Sequence, residues 1–442
     1  MRLAVTLGYD LTGAGDTASV RDKVLGARFD MEKRLSPELL FRAGSDVWLD
    51  VNELSQLTNN GNATTNVTDG ASSISTSSSA GNPDQAIIPP RRDLAMGVWF
   101  DFVYKPHPRV EIVPGARFDY FGSSQDTAAP GTAGAGTVLY AGGSAGVPSF
   151  DPRLATRIRL HPKVTSVEQV AVSHQPPSFI VPVPGLAVGS LKSGLQSSYT
   201  LSQGFEIDLP EAITFTPTVF NQAYLGLTDF ITSCEHGNGT DDCLDQRVRG
   251  RTIGLEVLVR RALTKRLTGW ISYTLSRTTR DTNASQTVLD ASKIPQGSTD
   301  IGAALAASQT QGRTGTILGD YDRTHVLNLI GAYDLGHGFR AGGRFVYYTG
   351  TPYSEKIGGV DVPPYNGYRL PDFFRFDVRF EKRWNLKKSA WVSLVLEWMN
   401  VSFQKEAASV TCSHVDGKLL DDCKPELIGP VTIPSLGVEG AL

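Results

Sequence analysis

Residues 373 to 399, FFRFDVRFEKRWNLKKSAWVSLVLEWM, decide the fold. Apolar and charged side chains alternate along the first half: Phe374, Phe376, Val378 and Phe380 alternate with Arg375, Asp377, Arg379 and Glu381. A period of two places successive side chains on opposite faces of a β-strand, and no helix sorts these residues in the same way. A short turn at 385–388 follows, and residues 390–399 repeat the alternation with Val392, Leu394, Leu396 and Trp398 on one face. The stretch therefore predicts a long antiparallel hairpin with one apolar and one charged face.

The length of this hairpin distinguishes between a soluble sandwich and a transmembrane barrel. Each arm has about ten to twelve residues. Strands of soluble proteins usually have about five or six residues, and a tilted strand crosses a bilayer in about nine to eleven. The arm length favours an all-β, transmembrane antiparallel barrel with lipid at the apolar face and a polar lumen at the charged face.

The same alternation recurs along the whole chain and predicts about sixteen strands. They lie near residues 3–10, 23–34, 39–52, 93–105, 109–121, 152–161, 164–174, 196–209, 212–228, 249–262, 267–279, 323–335, 339–351, 372–384, 389–401 and 430–442.

Short and long connections alternate between these predicted strands. The long ones lie near 53–92, 122–150, 280–321, 352–371 and 402–429. Outer-membrane barrels have short periplasmic turns and long extracellular loops, whereas a soluble sandwich has no reason to collect its long loops at one end. We therefore predict one partial β-barrel domain over residues 1–442, with the long connections on the extracellular side.

Composition excludes two other classes of protein. The formal net charge is -3 and Lys and Arg form no patch, so nucleic acid is not a predicted partner. No run approaches the roughly eighteen apolar residues of a spanning helix, so any insertion into a membrane is by strands. The first ten residues, MRLAVTLGYD, alternate like a strand and are not typical of a signal peptide. Our interpretation is that the chain is a fragment, or begins at an internal start.

Charged residues at strand positions predict the polar lining of a lumen. We assign Arg344, Arg375, Asp377, Arg379 and Glu381 to this wall, and on the same face we place Arg28, Arg42, Asp46, Asp50, Asp101, Arg117, Asp119, Glu256 and Arg260. Such a wall is either purely structural, with charges paired across strands, or contacts a solute or an inserted plug. Aromatic residues near strand ends are typical of interfacial girdles: Tyr9, Tyr104, Tyr120, Tyr333, Tyr347, Trp384 and Trp398.

The remaining polar residues indicate no enzyme. Asp320, Asp322 and His325 lie together in the sequence but have no nucleophile at a suitable spacing, so we interpret them as polar residues at a strand end. We predict no catalytic residue, no cofactor and no metal ion. The four cysteines form two local pairs, Cys234 with Cys243 and Cys412 with Cys423, which suit small disulfide-closed loops, with free thiols as the alternative.

Four segments resemble the C-terminal barrel of TonB-dependent outer-membrane receptors. They are DPRLATRIRL at 151–160, RGRTIGLEVLVRRALTKRLTGWISYTLSR at 249–277, DYDRTHVLNLIGAYDLGHGFRAGGRFVYYTGTPY at 320–353, and RLPDFFRFDVRFEKRWNL followed by LEWMNV within 369–401. The resemblance implies a 22-stranded barrel, an N-terminal plug, and uptake of scarce solutes such as siderophores, cobalamin or glycans through the TonB–ExbB–ExbD complex. Only about sixteen strands and no plug are predicted here, so the resemblance implies that the other strands and the plug precede Met1.

The leading hypothesis is therefore an N-terminally truncated receptor barrel in the outer membrane of a Gram-negative bacterium. Its partners would be outer-membrane lipid, the barrel-assembly machinery, an unidentified small solute, and the TonB complex through a plug that this chain lacks. The family's last strand usually ends in an aromatic residue, whereas this chain ends at Leu442. A self-sufficient sixteen-stranded passive porin and a soluble β-sandwich binding module are the alternatives.

Overall fold

The structure of the protein is a computed structural model. It describes residues 2–14, 18–56, 64–69, 72–77, 86–125, 143–177, 179–180, 187–188, 191, 194–228, 247–264, 266–281, 287–289, 309–311, 315–357, 360–362, 364–386, 390–413 and 420–441.

The described residues form β-strands joined by turns. The strands are β1 (Arg2–Ala14), β2 (Ala18–Arg34), β3 (Leu39–Gln56), β4 (Thr64–Asp69), β5 (Ser72–Ser77), β6 (Ala86–His107), β7 (Val110–Gln125), β8 (Gly143–His161), β9 (Val164–Gln175), β10 (Phe179–Ile180), β11 (Ala187–Val188), β12 (Gln196–Leu209), β13 (Ile213–Thr228), β14 (Arg247–Thr264), β15 (Leu267–Asp281), β16 (Thr287–Leu289), β17 (Gln309–Gln311), β18 (Thr316–Leu318), β19 (His325–Gly336), β20 (Phe339–Tyr348), β21 (Pro352–Tyr353), β22 (Glu355–Ile357), β23 (Val360–Val362), β24 (Tyr368–Arg369), β25 (Phe373–Asn385), β26 (Trp391–Met399), β27 (Glu406–Ser413), β28 (Asp422–Ile428) and β29 (Ile433–Ala441).

Sixteen of these strands form one continuous antiparallel sheet, which we call the wall, and the short β18 extends its pairing with β15. Along the wall each strand pairs with the next in the order β1, β2, β3, β6, β7, β8, β9, β12, β13, β14, β15, β19, β20, β25, β26 and β29. Each predicted strand corresponds to one strand of the wall, so the all-β antiparallel prediction is confirmed.

Several strands of the wall run further than the sequence predicts. Strand β6 begins at Ala86 and β8 at Gly143, inside segments that we predicted to be loop, and β27 and β28 form a separate hairpin within a third such segment. Backbone pairing holds these extensions: Ala86, Ile88 and Arg91 pair with β3, and residues 143–150 pair with β7. An alternating apolar pattern is therefore not required there.

Seven short connections lie at one rim of the wall. They occupy residues 35–38, 108–109, 162–163, 210–212, 265–266, 337–338 and 386–390. Because successive strands are antiparallel, these links join strand ends at the same side, and most long connections fall at the other. We call the first side the short-turn rim and the second the long-loop rim.

The two faces of the wall differ in character, and neither encloses a dry apolar centre. Large apolar side chains are exposed along nearly every strand, whereas the buried apolar residues among those described are few and scattered: Ala116, Leu191, Val248, Ile357, Leu370, Phe373 and Val395. A soluble sandwich would bury its apolar face against a second sheet. In the part of the chain that the structure describes, no helix has the length and apolar character needed to span a bilayer.

Candidate functional site

The register of the wall places the predicted charged residues on one face, which we call the polar face. Arg344 of β20 lies opposite Asp377 of β25, and Arg379 of β25 lies opposite Glu397 of β26. Following the pairing from strand to strand, all the other residues that we assigned to the charged wall lie on this face: Arg28, Arg42, Asp46, Asp50, Asp101, Arg117, Asp119, Glu256, Arg260, Arg375 and Glu381.

Two aspartate-centred ion clusters hold the polar face across β3, β6, β7 and β8. Asp101 is only 2% exposed and accepts hydrogen bonds from Arg42 Nε at 2.6 Å and from Arg153 Nη2 at 2.8 Å. Arg117 donates to Asp46 Oδ1 at 2.6 Å and from its Nε to Asp119 at 2.8 Å. Each buried carboxylate thus meets at least one guanidinium, which offsets the cost of burying its charge.

A glycine makes room for the second of these clusters. Gly97 of β6 lies directly opposite Asp119 of β7 on the polar face. A Cβ at this position would overlap both the Arg117 guanidinium and the Asp119 carboxylate. A larger residue would therefore displace the ion pair.

A third ion cluster joins β20, β25, β26 and β29. Glu381 is buried between Arg383, at 3.0 Å, and Arg340, at 3.7 Å. Arg379 pairs with Glu397 of β26 and, at 2.9 Å, with Glu439 of β29. These contacts bring opposite charges together on neighbouring strands, as a structural wall requires.

Arg344 is one of the wall residues whose charge is in no ion pair within the part of the chain that the structure describes. Its register partner Asp377 is bound by Arg375, at 3.0 Å, and by the backbone N–H of Asn400, at 2.8 Å. No ion pair among the described residues includes Arg344, and its side chain is exposed. Arg344 therefore presents an available cation on the polar face.

The first two ion clusters also line a concave surface on the polar face. A cavity of about 480 Å³ is bounded by Arg28, Arg42, Trp99, Asp101, Arg117 and Arg153. The Arg153 guanidinium stands 5.8 Å from the centre of the Trp99 ring, within the range of a cation–π contact. Such a surface has the donors and flat apolar area that an anionic or hydroxylated solute would use.

The opposite face, which we call the apolar face, carries the predicted aromatic residues. The same register analysis places Tyr9, Tyr104, Tyr120, Tyr333, Tyr347, Trp384 and Trp398 there. Large side chains of the hairpin at residues 373–399 are exposed on this face, with Phe376 41% and Phe380 50% exposed. An exposed apolar surface of this extent is the kind that meets another apolar phase.

The acidic residues near the start of β19 do not converge on a common point. Asp322 is buried, accepts a hydrogen bond from the Thr278 backbone N–H at 2.5 Å, and pairs with Arg369. His325 instead has its Nδ1 2.9 Å from the Tyr273 hydroxyl. These residues anchor loops to strand ends, which agrees with the structural interpretation.

One of the two predicted disulfides is confirmed. Cys412 and Cys423 lie opposite each other in the β27–β28 hairpin and are bonded. The other predicted pair, Cys234 and Cys243, lies outside the described residues.

Sequence reasoning missed which charges meet. Arg153, which completes the Asp101 cluster, carries no signal beyond its place in an alternating strand. Asn52 of β3 and Ser393 of β26 were also missed, although both are almost fully buried on the polar face. Only the register between strands brings these residues together.

No protein-family model matches the chain, and no curated protein matches it. Solved structures do match it. The ferric-catecholate import receptor Fiu from E. coli K12, in its closed form, is 13% identical, with 99% of this chain and 60% of that chain covered at a TM-score of 0.57. The unliganded ferric citrate transporter FecA is 14% identical, with 99% of this chain and 58% of that chain covered at a TM-score of 0.59. The FrpB iron transporter from Neisseria meningitidis is 12% identical, with 95% of this chain and 55% of that chain covered at a TM-score of 0.57.

The chain therefore has the fold of the TonB-dependent receptor barrel, and the resemblance inferred from the sequence is confirmed at the level of the fold. It spans between 55% and 60% of the length of these three structures.

Proposed function

We propose that the chain forms most of the barrel wall of an outer-membrane receptor that imports a scarce solute by TonB-dependent uptake in a Gram-negative bacterium. The observation that carries this proposal is the separation of the two faces along sixteen long strands. One face exposes aliphatic and aromatic side chains, and the other holds ion-paired Arg, Asp and Glu. A barrel between lipid and an aqueous lumen requires this arrangement.

The import function is supported by the solved structures that share the fold. Their names describe import of ferric catecholates, of ferric citrate and of iron. Siderophores, cobalamin and glycans are the solute classes that we consider, with ferric siderophores first. Binding to the TonB–ExbB–ExbD complex would be a property of the whole receptor, through its plug.

The free edges of the wall support a larger barrel. Strand β1 pairs only with β2, and β29 pairs only with β26, among the described strands. Unpaired edges of this length are templates for further strands. We propose that additional strands of the same receptor fill the space between β1 and β29.

Arg344 is the side chain of the wall that we propose to contact the solute. Its charge is exposed on the polar face, while its acidic register partner is bound by Arg375. A guanidinium of this kind binds carboxylate or catecholate oxygens through paired hydrogen bonds. An anionic ferric siderophore fits this chemistry better than a neutral glycan.

The test is energised uptake by the native gene product. A strain that lacks the gene is complemented with the wild type, with Arg344→Ala, or with Lys382→Ala, and is supplied with labelled ferric siderophores, cobalamin or oligosaccharides. Lys382 is the matched control, because it is a cation of the apolar face that stacks on Phe339. We expect one solute class to depend on the gene and on TonB, with a several-fold loss in Arg344→Ala and none in Lys382→Ala.

Two outcomes would contradict the proposal. Recovery of the protein in the aqueous fraction without detergent would point to the soluble sandwich. Uptake that persists without TonB would point to a passive porin, the second candidate, which is favoured by the even number of wall strands. A porin would also give steady open channels in a planar bilayer.

A further inference from the structure

A group of oxygen-bearing side chains near the long-loop rim is not used by the proposed import function. Asp22 of β2 lies opposite Asn52 of β3, and Asp50 of β3 lies opposite Asp93 of β6, all on the polar face. Asp50 is twelve residues beyond Glu38, the last residue of the short turn. Since about nine to eleven residues cross a bilayer, the group lies at or beyond the far end of the spanning segment.

The side chains of Asp22, Asp50 and Asn52 meet within this group. The Asp50 carboxyl contacts both the Asp22 carboxyl and the Asn52 amide, and Asp93 adds a further negative charge nearby. Three buried oxygen atoms have no hydrogen-bond partner: Asp22 Oδ1, Asp50 Oδ1 and Asn52 Oδ1. None of the ion pairs of the described residues includes Asp22 or Asp50.

Burial makes these unpaired oxygens costly. Asn52 is only 2% exposed, so water has little access to its amide. Each buried acceptor that lacks a partner costs on the order of 1–3 kcal/mol, and two adjacent carboxylates repel each other. A proton shared by the two carboxyl groups would satisfy two of the three oxygens, and the amide oxygen of Asn52 would remain unpaired.

We propose that Asp22, Asp50 and Asn52 form a binding site for a hard divalent cation, with Ca²⁺ as the preferred ion. The donors are two carboxylates and one amide oxygen, without a nitrogen or sulfur ligand, which selects Ca²⁺ or Mg²⁺ over transition metals. Ca²⁺ accepts flexible geometry and water as further ligands, whereas Mg²⁺ requires a near-ideal octahedron that side chains fixed on two strands do not supply.

No three His, Cys, Asp or Glu side chains among the described residues come together as a metal-binding group. The proposed site has only two such side chains and takes its third protein ligand from an amide. The ion would fasten β2 to β3 at the long-loop rim, and its binding does not depend on the import function.

The test uses the full chain extracted from outer membranes in detergent, with Tb³⁺ as a luminescent substitute for Ca²⁺. Trp48 lies on the polar face two residues from Asp50, so it is placed to sensitise bound Tb³⁺. We expect a saturable signal that Ca²⁺ displaces, with affinity lowered about ten-fold or more in Asp50→Asn and in Asn52→Ala. Trp48→Phe should lose the signal but keep calorimetric Ca²⁺ binding.

Asp30→Asn is the matched control. Asp30 lies on the same face of β2 and pairs with Arg28 at 3.0 Å, so its loss should leave Tb³⁺ affinity unchanged. Heat-modifiable migration on a gel checks that each variant folds. Should Asp50→Asn fail to fold, Asn52→Asp provides a second test, because it keeps the oxygen donor and adds charge and should therefore bind Ca²⁺ more tightly.

Three results would overturn the site. The first is the absence of any signal that Ca²⁺ displaces. The second is equal affinity in the wild type and in Asp50→Asn. The third is a stability that changes with pH but not with Ca²⁺, which would assign a shared proton to the carboxyl pair.

Discussion

The ion clusters of the polar face depend on single carboxylates that each bind arginine side chains from two strands. Asp101 binds Arg42 from β3 and Arg153 from β8, which is not a neighbour of β6. A carboxylate in this position pairs with two guanidinium groups and links strands beyond the neighbours of its own strand. Its loss leaves two cations facing each other.

Asp101→Ala should therefore destabilise the protein more than removal of an exposed acid. We expect a loss of about 1–3 kcal/mol in the free energy of unfolding, since Asp101 is buried but its arginine partners are partly exposed. The measurement is urea unfolding of the chain in detergent micelles. Asp30→Ala is the control, because Arg28 is mostly exposed, and it should cost less than about 1 kcal/mol. Equal losses of unfolding free energy in both variants would show that the burial of Asp101 adds nothing to the stability of the wall.

The face on which a charged residue lies was predictable from the sequence, but its partner was not. A shift of the pairing register by one residue would move every side chain of a strand to the other face. The alternating pattern alone therefore determines which side chains of a strand share the polar face. The Arg153–Asp101 contact joins residues 52 positions apart. Such a contact depends on the register of two successive strand pairs. That register depends on the lengths of the connecting loops, which the alternating pattern does not constrain. The Asp22, Asp50 and Asn52 group was missed for the same reason.

At the scale of the element, long strands with alternating patterns were recognised most reliably. All sixteen wall strands were predicted, because each has an exposed apolar side and a polar side through its spanning portion. Their ends near the long-loop rim were not predicted. There the chain stays extended through backbone pairing, and residues such as Gly143 and Ser144 carry no alternation that would reveal it.

The apolar face makes a specific prediction for neighbouring residues of one strand. Ile271 of β15 is 43% exposed on the apolar face, five residues beyond Arg266 of the short turn, whereas Ser272 lies on the polar face beside Asn328. In a bilayer, Ile271→Arg should cost about 2–4 kcal/mol of unfolding free energy, because five residues correspond to mid-bilayer. Ser272→Arg should cost less than about 1 kcal/mol.

Guanidinium chloride unfolding of the chain in liposomes measures both variants. They carry the same new side chain at the same depth, so their difference reports only the environment of each face. If Ser272→Arg proves as costly as Ile271→Arg, the polar face does not meet water.

The β27–β28 hairpin is a two-stranded sheet separate from the wall. Its two strands pair only with each other, and the Cys412–Cys423 bond closes a loop with a sequence separation of 11. A disulfide that closes a loop of about this size contributes up to about 3 kcal/mol, mainly by restricting the unfolded segment. That stabilisation should remain local.

The double variant Cys412→Ser with Cys423→Ser should open the hairpin without weakening the wall. We expect the glutamyl endopeptidase Glu-C to cleave faster after Glu426, whose side chain is exposed, while the urea midpoint of the wall stays unchanged. Cleavage after Glu38, in a short turn of the wall, is the internal control. A fall in the global midpoint would show that the hairpin supports the wall.

At the scale of the whole molecule, the wall is a sheet with two free edges. Leu3 and Leu7 of β1 are 74% and 79% exposed, and Leu436 of β29 is 71% exposed, well above the residues of the central strands. These side chains have a neighbouring strand on one side only. A membrane barrel removes such edges by closure, because unpaired backbone groups are too costly in lipid. Either β29 closes directly onto β1, as in the porin, or other strands intervene, as in the receptor.

Cysteine cross-linking in native outer membranes decides between these closures. In a background without the four native cysteines, Leu3→Cys is combined with Leu436→Cys or with Val438→Cys, which lie at similar heights above the short-turn rim. The receptor proposal predicts no cross-link, because intervening strands about 4.7–4.9 Å apart would separate the two edges. The positive control combines Leu3→Cys with Phe29→Cys, its partner across β1 and β2, and should cross-link readily. Efficient linkage of Leu3→Cys to either β29 position would establish a sixteen-stranded closure and, with it, the passive porin.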